Sequence, residues 1–226
     1  MTTRRFEWGP VGARRLAQEV DVLVVVDTMS FSTAVDVAVA RGAVVCPARW
    51  SDESAALSRD RPYSLSPASM TSVPPGTRLE LASPNGATIC LDAAELGPAV
   101  IAGCLRNASA VTAAARRAGD VVGVIAAGER WPDGSLRPAL EDLLGAGVIL
   151  DALGGEPSSE ARAAIAAARA LTLDDVRSCP SARELIDGGF VEDATSRFSG
   201  TSRRPCRCSA TAPSRTPGSD PALTPL

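Results

Sequence analysis

Histidine and lysine are both absent from the 226 residues; all 23 basic side chains are arginines. Without histidine there is no Ser-His-Asp or Cys-His nucleophile system and no His-ligated zinc. Without lysine there is no Schiff-base chemistry and no Walker-type lysine on a phosphate. No apolar run reaches the roughly 18 residues of a membrane span, and Met1 to Pro10 lacks the apolar core of a secretory signal. The expected localisation is therefore cytoplasmic, with no membrane partner. A net charge of −3 leaves no basic surface that would make nucleic acid a partner. What remains for chemistry is carboxylates, hydroxyls, thiols, arginine and a hard metal.

Six cysteines are present, but Cys46, Cys90, Cys104 and Cys179 stand singly in apolar or element-edge contexts. They read as small buried hydrophobes in a reducing compartment. Cys206 and Cys208 form a lone Cys-x-Cys with no second pair, which makes a poor metal site.

The hydrophobic share of 45% is enough to bury a core. Asp21 to Asp27 is a continuous apolar run between acids, the pattern of a parallel strand buried on both faces. Ser30 and Ser32 then offer caps for a helix ending near Gly42. Strands are expected at 44–46, 79–82, 99–103 and 121–127, and helices at 51–59, 86–96, 107–118, 137–153, 158–170 and 181–186. The proline-rich segment from Arg61 to Gly76 reads as an excursion over a site. Strands alternating with helices predict an α/β fold, a mainly parallel or mixed sheet with helices on both faces. In such sheets reactive groups gather at the carboxyl ends of strands. Asp27, Ser83 to Gly86, Cys104 to Asn107 and Gly128 to Arg130 all fall at such ends.

The domain is read as residues 1–193. In Thr195 to Leu226, Ser, Thr, Pro and Arg supply 21 of 32 residues, with five arginines against one aspartate. One reading of 194–226 is a disordered basic tail. The other is a shift of reading frame near Asp193: with GC-rich codons, Thr201 to Ser214 reads in the shifted frame as VAATVPVLRDGAF, a strand, a turn and a strand start.

Four constellations carry chemistry. Asp27 meets the hydroxyl-rich turn Thr28 to Thr33, where a carboxylate, hydroxyls and helix N-terminal amides suit Mg²⁺ and a phosphate; helix capping is the competing reading. Ser83-Pro-Asn-Gly-Ala-Thr88 aims backbone amides at an anion, or is only a turn. Arg106, beside Asn107 at a helix start, is placed to clamp an anionic group, or is a solvated surface arginine. Gly128 to Asp142 concentrates Glu129, Asp133, Glu141 and Asp142 around Arg130 and Arg137. That set suits Mg²⁺ and an anionic substrate, against a reading in which Arg137 and Glu141 pair along one helix face.

The stretches DVLVVVDTMSFSTAV, LSP (Leu65 to Pro67), SPNGAT, AGCLRNASAV and IAAGERWPDGSLRPALEDLLGAGVIL occur in this order. Together they resemble the 2-phosphosulfolactate phosphatase family, Mg²⁺-dependent enzymes that release phosphate from 2-phospho-3-sulfolactate in the sulfolactate and coenzyme M pathway. The resemblance runs from about Asp21 to Phe190, and the shifted tail resembles the family's C-terminal stretch. Two departures stand out: Ser30 occupies a position where the family commonly has arginine, and Leu65-Ser66 stands where an asparagine often precedes Ser-Pro.

The resemblance implies hydrolysis of a small phosphate ester. Mg²⁺ would be held by Asp27 with Glu141 or Asp142, and Glu129 would position water. Ser30, Ser32, Thr33, Asn85, Gly86 and Asn107 would meet substrate, while Arg106 and Arg130 hold its anionic groups. Whether Asp27 instead attacks phosphorus is left open. The rival readings are an impaired relative that only binds a phosphorylated or sulfonated anion, and an interaction module using the basic tail. A homodimer is the base-rate expectation.

A chain with the shifted frame restored is expected to melt at higher temperature than the present one, because loss of a core strand leaves a sheet edge unpaired. Equal melting temperatures in scanning calorimetry would exclude a lost strand.

Overall fold

Val22–Val26 is buried at all five positions, and its side chains alternate between two separate cores. That is the physical meaning of an uninterrupted apolar strand: it has no solvent face. In the computed structural model, which describes residues 3–51, 62–195 and 206–208, this strand is the centre of the fold.

The chain enters through Thr3–Trp8 (β1) and Gly9–Ala17 (α1), then Val22–Val26 (β2) and Phe31–Ala40 (α2). Val44–Arg49 (β3) and Arg78–Ser83 (β4) follow, with Gly86–Ala94 (α3), Ala99–Gly103 (β5), Ala108–Ala118 (α4) and Val122–Ala126 (β6) after them. The two-residue strands Glu129–Arg130 (β7) and Leu136–Arg137 (β8) form a small antiparallel hairpin. Leu140–Leu153 (α5), Glu156–Pro157 (β9), Ser159–Ala170 (α6), Leu173–Arg177 (α7), Pro180–Asp187 (α8), Val191–Thr195 (α9) and Cys206–Cys208 (β10) complete it.

The main sheet has the order β10-β5-β2-β6-β1-β9, parallel except for β10. Val24 lies opposite Ile101 on β5 and Val124 on β6. One face packs Leu23, Val25 and Ile125 against α1, α2 and α3; the other packs Val22, Val24 and Val26 against α4, α5 and α6. The expected α/β class, with helices on both faces, is what forms. Because β5 and β6 flank β2 on opposite sides, a crevice opens at the carboxyl end of β2, where ligands collect in such sheets.

Several expectations change in detail. β3 and β4 pair only with each other, as a separate parallel ribbon, and β3 runs on to Arg49 despite Pro47, which an edge strand tolerates. β1 and α1 were not foreseen, because Arg4, Arg5 and Glu7 break the apolar signal; yet Arg4 is buried, its guanidinium donating to the carbonyls of Gly154 and Asp120 at 3.0 and 2.6 Å. The helix expected from Arg137 begins at Leu140, since Pro138 interrupts it and Leu136–Arg137 joins the hairpin. The excursion does not simply pass over a site: Met70 and Val73 are fully buried in the first core. The helix expected at 51–59 falls almost wholly outside the described residues. Of the tail, Cys206–Cys208 pairs antiparallel with Val100 to Ala102; 196–205 and 209–226 lie outside the described residues. Cys90, Cys104 and Cys179 are buried free thiols, and Cys46 is half-buried.

No helix among the described residues is long and apolar enough to cross a membrane.

Gly147, a glycine in mid-helix, has a packing reason. A Cβ built there would stand 2.2 Å from the Ala164 carbonyl oxygen, so α5 and α6 meet backbone to backbone. Gly147→Ala is expected to force the helices apart and destabilise the protein by about 1–3 kcal/mol. An unchanged urea midpoint would show that the contact yields without strain.

Candidate active site

Asp27 is the first residue beyond β2, and it turns its carboxylate toward the β4–α3 turn. Its Oδ2 accepts from the Gly86 backbone N–H at 2.8 Å and from Ser83 Oγ at 3.4 Å, and its Oδ1 from the Phe31 N–H at 3.3 Å. Gly86 is required here by space. A Cβ at that position would lie 2.5 Å from Asp27 Oδ2 and 2.5 Å from the Phe31 ring. The SPNG turn therefore delivers an amide to a carboxylate of the protein itself.

The second carboxylate comes from the first turn of α5, where acids complement the helix dipole. Asp142 Oδ1 accepts from the Thr28 N–H at 2.7 Å, and its Oδ2 from the Gly128 N–H at 2.8 Å. Thr28 and Gly128 lie just past β2 and β6, where the strand ladder stops and amides need other partners. Glu141 is 1% exposed, and the hydrogen bond to its carboxylate among the described residues comes from Cys179 Sγ, 3.3 Å from Oε2. Thr28 Oγ1 donates to the Glu141 carbonyl at 3.2 Å.

The third group rides on the β7–β8 hairpin. Glu129 Oε2 accepts from Asn85 Nδ2 at 2.9 Å. Arg130 donates from Nε to Asn85 Oδ1 at 3.3 Å and from a terminal nitrogen to the Pro84 carbonyl at 3.0 Å, yet remains exposed. Asn85 thus links the hairpin to the β4–α3 turn. Arg137 pairs with Glu184 of α8 at 2.6 Å and lies under the Trp131 ring at 5.6 Å, so the Arg137–Glu141 helical pair expected from spacing does not form. Asp133 sits at the hairpin tip, its Oδ1 taken by Ser135.

Burial and mutual repulsion dominate the electrostatics. Burial pushes the Asp27 carboxyl up to about 6; the Gly86 and Phe31 amides oppose it, and the Glu141 charge adds to it. Glu129 rises to about 8, from burial first and then from Asp27 and Glu141, with Arg137 opposing. Asp142 is raised well above the carboxylate range, by burial and then by Asp27 and Glu141. The Cys179 thiol is pushed up to about 11 by burial and the Glu141 charge, so it is a protonated donor at neutral pH. Such a set suits a hard divalent cation, which would relieve the repulsion. Among the described residues, no three carboxylates or thiols make a ready cage. A cation here would lean on one or two carboxylates, waters and substrate oxygens, the usual Mg²⁺ arrangement. Asp142 has both oxygens on amides at 2.7 and 2.8 Å, whereas Asp27 Oδ1 meets its amide at 3.3 Å and Glu141 accepts from the Cys179 thiol, so Asp27 and Glu141 are the less committed acceptors of the three.

The remaining candidates are placed as follows. Ser30 caps α2 and is half-buried, with no cap bond from its side chain. Ser32 is sealed, its Oγ between the Asp27 N–H and the Val25 carbonyl; Thr33 Oγ1 donates to the Thr28 carbonyl at 2.7 Å. Both shape the Asp27 turn from inside. Asn107 is fully buried, accepting from Cys104 N–H and donating to the Ala102 carbonyl, and so fixes the end of β5. Arg106 is half-buried, with Nε donating to buried Asp36 at 3.1 Å. The residues brought together at the crevice are Asp27, Asn85, Gly86, Glu129, Arg130, Glu141 and Asp142. Sequence reasoning missed Ser83 as a donor to Asp27, and Cys179. The serine was visible inside SPNGAT; the cysteine, 38 positions from Glu141, left no local signal.

The sequence model of the 2-phosphosulpholactate phosphatase family matches residues 62–196. A 2-phosphosulfolactate phosphatase of Methanothermobacter thermautotrophicus (strain Delta H) is 40% identical over 95 residues, 41% of this chain and 40% of that protein. The matched part of the chain thus spans less than half of that relative's length.

The raised carboxyls give the metal-free protein a pH signature. Asp27 and Glu129 carry ordinary values of 3.8 and 4.5 when unfolded and about 6 and about 8 when folded. The folded state therefore holds protons that the unfolded chain has released, and stability is lost as pH rises through each folded value. In chelator, the melting temperature is expected to fall from pH 5 to pH 8.5, with Glu129→Gln removing the upper part of the decline. A melting temperature flat across this range would mean that the carboxylates are not in conflict.

Proposed function

The chain belongs to the 2-phosphosulpholactate phosphatase family, and on that basis we propose that it hydrolyses the phosphate ester of a small 2-hydroxy acid with Mg²⁺, 2-phospho-3-sulfolactate being the substrate that best fits. The observation that carries this reading is the placing of two buried carboxylates, Asp27 and Glu141, beside a rim on which one arginine, one amide and one raised carboxyl are linked in series.

Asp27 and Glu141 would hold Mg²⁺. When bound, the cation polarises the phosphoryl oxygens and balances the carboxylate charge. Asp27 is gripped by two backbone amides and the Ser83 hydroxyl, which holds its carboxylate in one orientation, as a fixed cation anchor requires. Glu129, with a carboxyl near 8, is matched to general-base work close to neutral pH. It orients water toward phosphorus and accepts its proton, while Asn85 fixes its angle. Arg130 stays exposed at the mouth and takes the anionic group that is not phosphate, by the planar two-point contact that lysine cannot make. The absence of lysine from the chain is no handicap to that role.

Phosphate release is to be measured with 2-phospho-3-sulfolactate and with 2-phospholactate, which lacks the sulfonate, in Mg²⁺ and in EDTA. Release that requires Mg²⁺ and favours the sulfonated ester is expected. Glu129→Gln should lower kcat by about 10²-fold or more with little change in KM. Arg130→Ala should raise KM for the sulfonated ester more than for 2-phospholactate. Thermal stabilisation by sulfolactate without any turnover would instead assign the chain as an anion-binding protein.

A further inference from the structure

The Glu141 carboxylate is almost wholly buried, beside two other acids, and the hydrogen bond that reaches it among the described residues is from a thiol at 3.3 Å. Cys179 is the residue that caps α8, and Pro180 follows it at the first helical position. It is delivered by an apolar cluster of its own: Met29 from the Asp27 turn, Leu144 from α5, and Val176, Cys179, Ala182 and Ala194 from the C-terminal helices. A cysteine in such a cluster has an ordinary packing role available. Here its sulfur is also directed at one oxygen of a site carboxylate.

We infer that Cys179 is a positioning residue for the cation site, its thiol holding Glu141 Oε2 so that Oε1 is the oxygen presented to Mg²⁺. This rests on the Mg²⁺-dependent reading given above. The physical reason is that a glutamate has three side-chain torsions and loses its freedom only when both ends are fixed. Helix α5 fixes one end and the thiol the other. Groups that orient metal ligands from behind typically change metal affinity by about 10- to 100-fold when removed. The cluster makes the C-terminal helices part of the site, although they contribute none of the sheet.

The test compares the full-length protein with Cys179→Ala, which removes the donor, and Cys179→Ser, which keeps one. Mg²⁺ alone is titrated into each by calorimetry, melting temperatures are recorded in EDTA and in Mg²⁺, and phosphate release is followed against Mg²⁺ and against substrate. The expected result is a Mg²⁺ dissociation constant raised about 10-fold in the alanine variant and restored to within about threefold in the serine variant, with KM for the ester unchanged at saturating Mg²⁺. A purely packing role would lower the melting temperature equally in EDTA and in Mg²⁺ and leave the Mg²⁺ constant alone; that result overturns the inference. If the alanine variant does not fold, Cys179→Val fills the volume without a donor and is judged by the same Mg²⁺ constant. Absence of Mg²⁺-dependent release by the unaltered protein would sink the functional reading separately, since the calorimetric comparison between variants does not depend on turnover. Absence of any Mg²⁺ binding by the unaltered protein would sink both.

Discussion

The carboxylate of Asp142 is the interaction on which the rest of the site depends. A parallel strand that stops at a crevice leaves its next amide without a ladder partner, and two such strands, β2 and β6, stop side by side. Asp142 answers both, with one oxygen on Thr28 N–H and the other on Gly128 N–H. In doing so it fixes the first turn of α5 against the sheet. Glu141, the adjacent residue, is then held in place, and Gly128 sets the start of the hairpin that carries Glu129 and Arg130. One buried acid thus ties together two strand ends, a helix and a hairpin. The arrangement works because one carboxyl offers two acceptor oxygens, and its place in the first turn of α5 sets them opposite both strand ends.

The same economy creates a conflict. Asp27, Glu129, Glu141 and Asp142 all crowd the crevice, and Arg137, the cation opposing Glu129, is shared with Glu184. Burial and like charge raise the carboxyls, so the protein is less stable than an apolar crevice would make it. Strain of this kind collects at functional sites and is offset elsewhere. Here the offset is visible: β2 is buried at every position, and two cores close over its faces. An all-valine and leucine strand supports a repulsive cluster because it gives the sheet no weak central point.

Much of this was legible in the sequence, for reasons that differ by element. The valine run of β2 and the helices after it were clear because periodicity is a local signal. Asp27, Gly86, Glu129, Glu141 and Asp142 could be singled out because strand ends are where polar residues interrupt apolar runs. What the pattern could not separate was a group that faces the crevice from one that builds it. Ser32, Thr33 and Asn107 are as polar as Asn85, yet each is turned inward to satisfy backbone groups. That distinction lies in side-chain direction, which spacing does not encode. β1 was hidden because its inward residues include Arg4, whose charge is satisfied by carbonyls more than a hundred positions away. Pro138 follows the hairpin and precedes the helix, and the longer helix expected from Arg137 failed for that local reason.

The assembly of the site also constrains how it can arise during folding. Asp27 comes from the second strand, Gly86 from the turn after β4, Glu129 from the hairpin, Glu141 from α5 and Cys179 from the C-terminal helices. The Thr28–Asp142 bond alone spans 114 positions. Loops this long carry a closure entropy that grows only slowly with length, but none of these contacts is rewarded until the sheet beneath them exists. On that ground the acids are expected to come together after apolar burial has committed the strands. The part of their repulsion that sets Asp27 against Glu141 and Asp142 opposes the docking of α5. That docking rests on the backbone contact at Gly147 and on the cluster around Met29 and Leu144. A cation that relieved the repulsion would act on the same step.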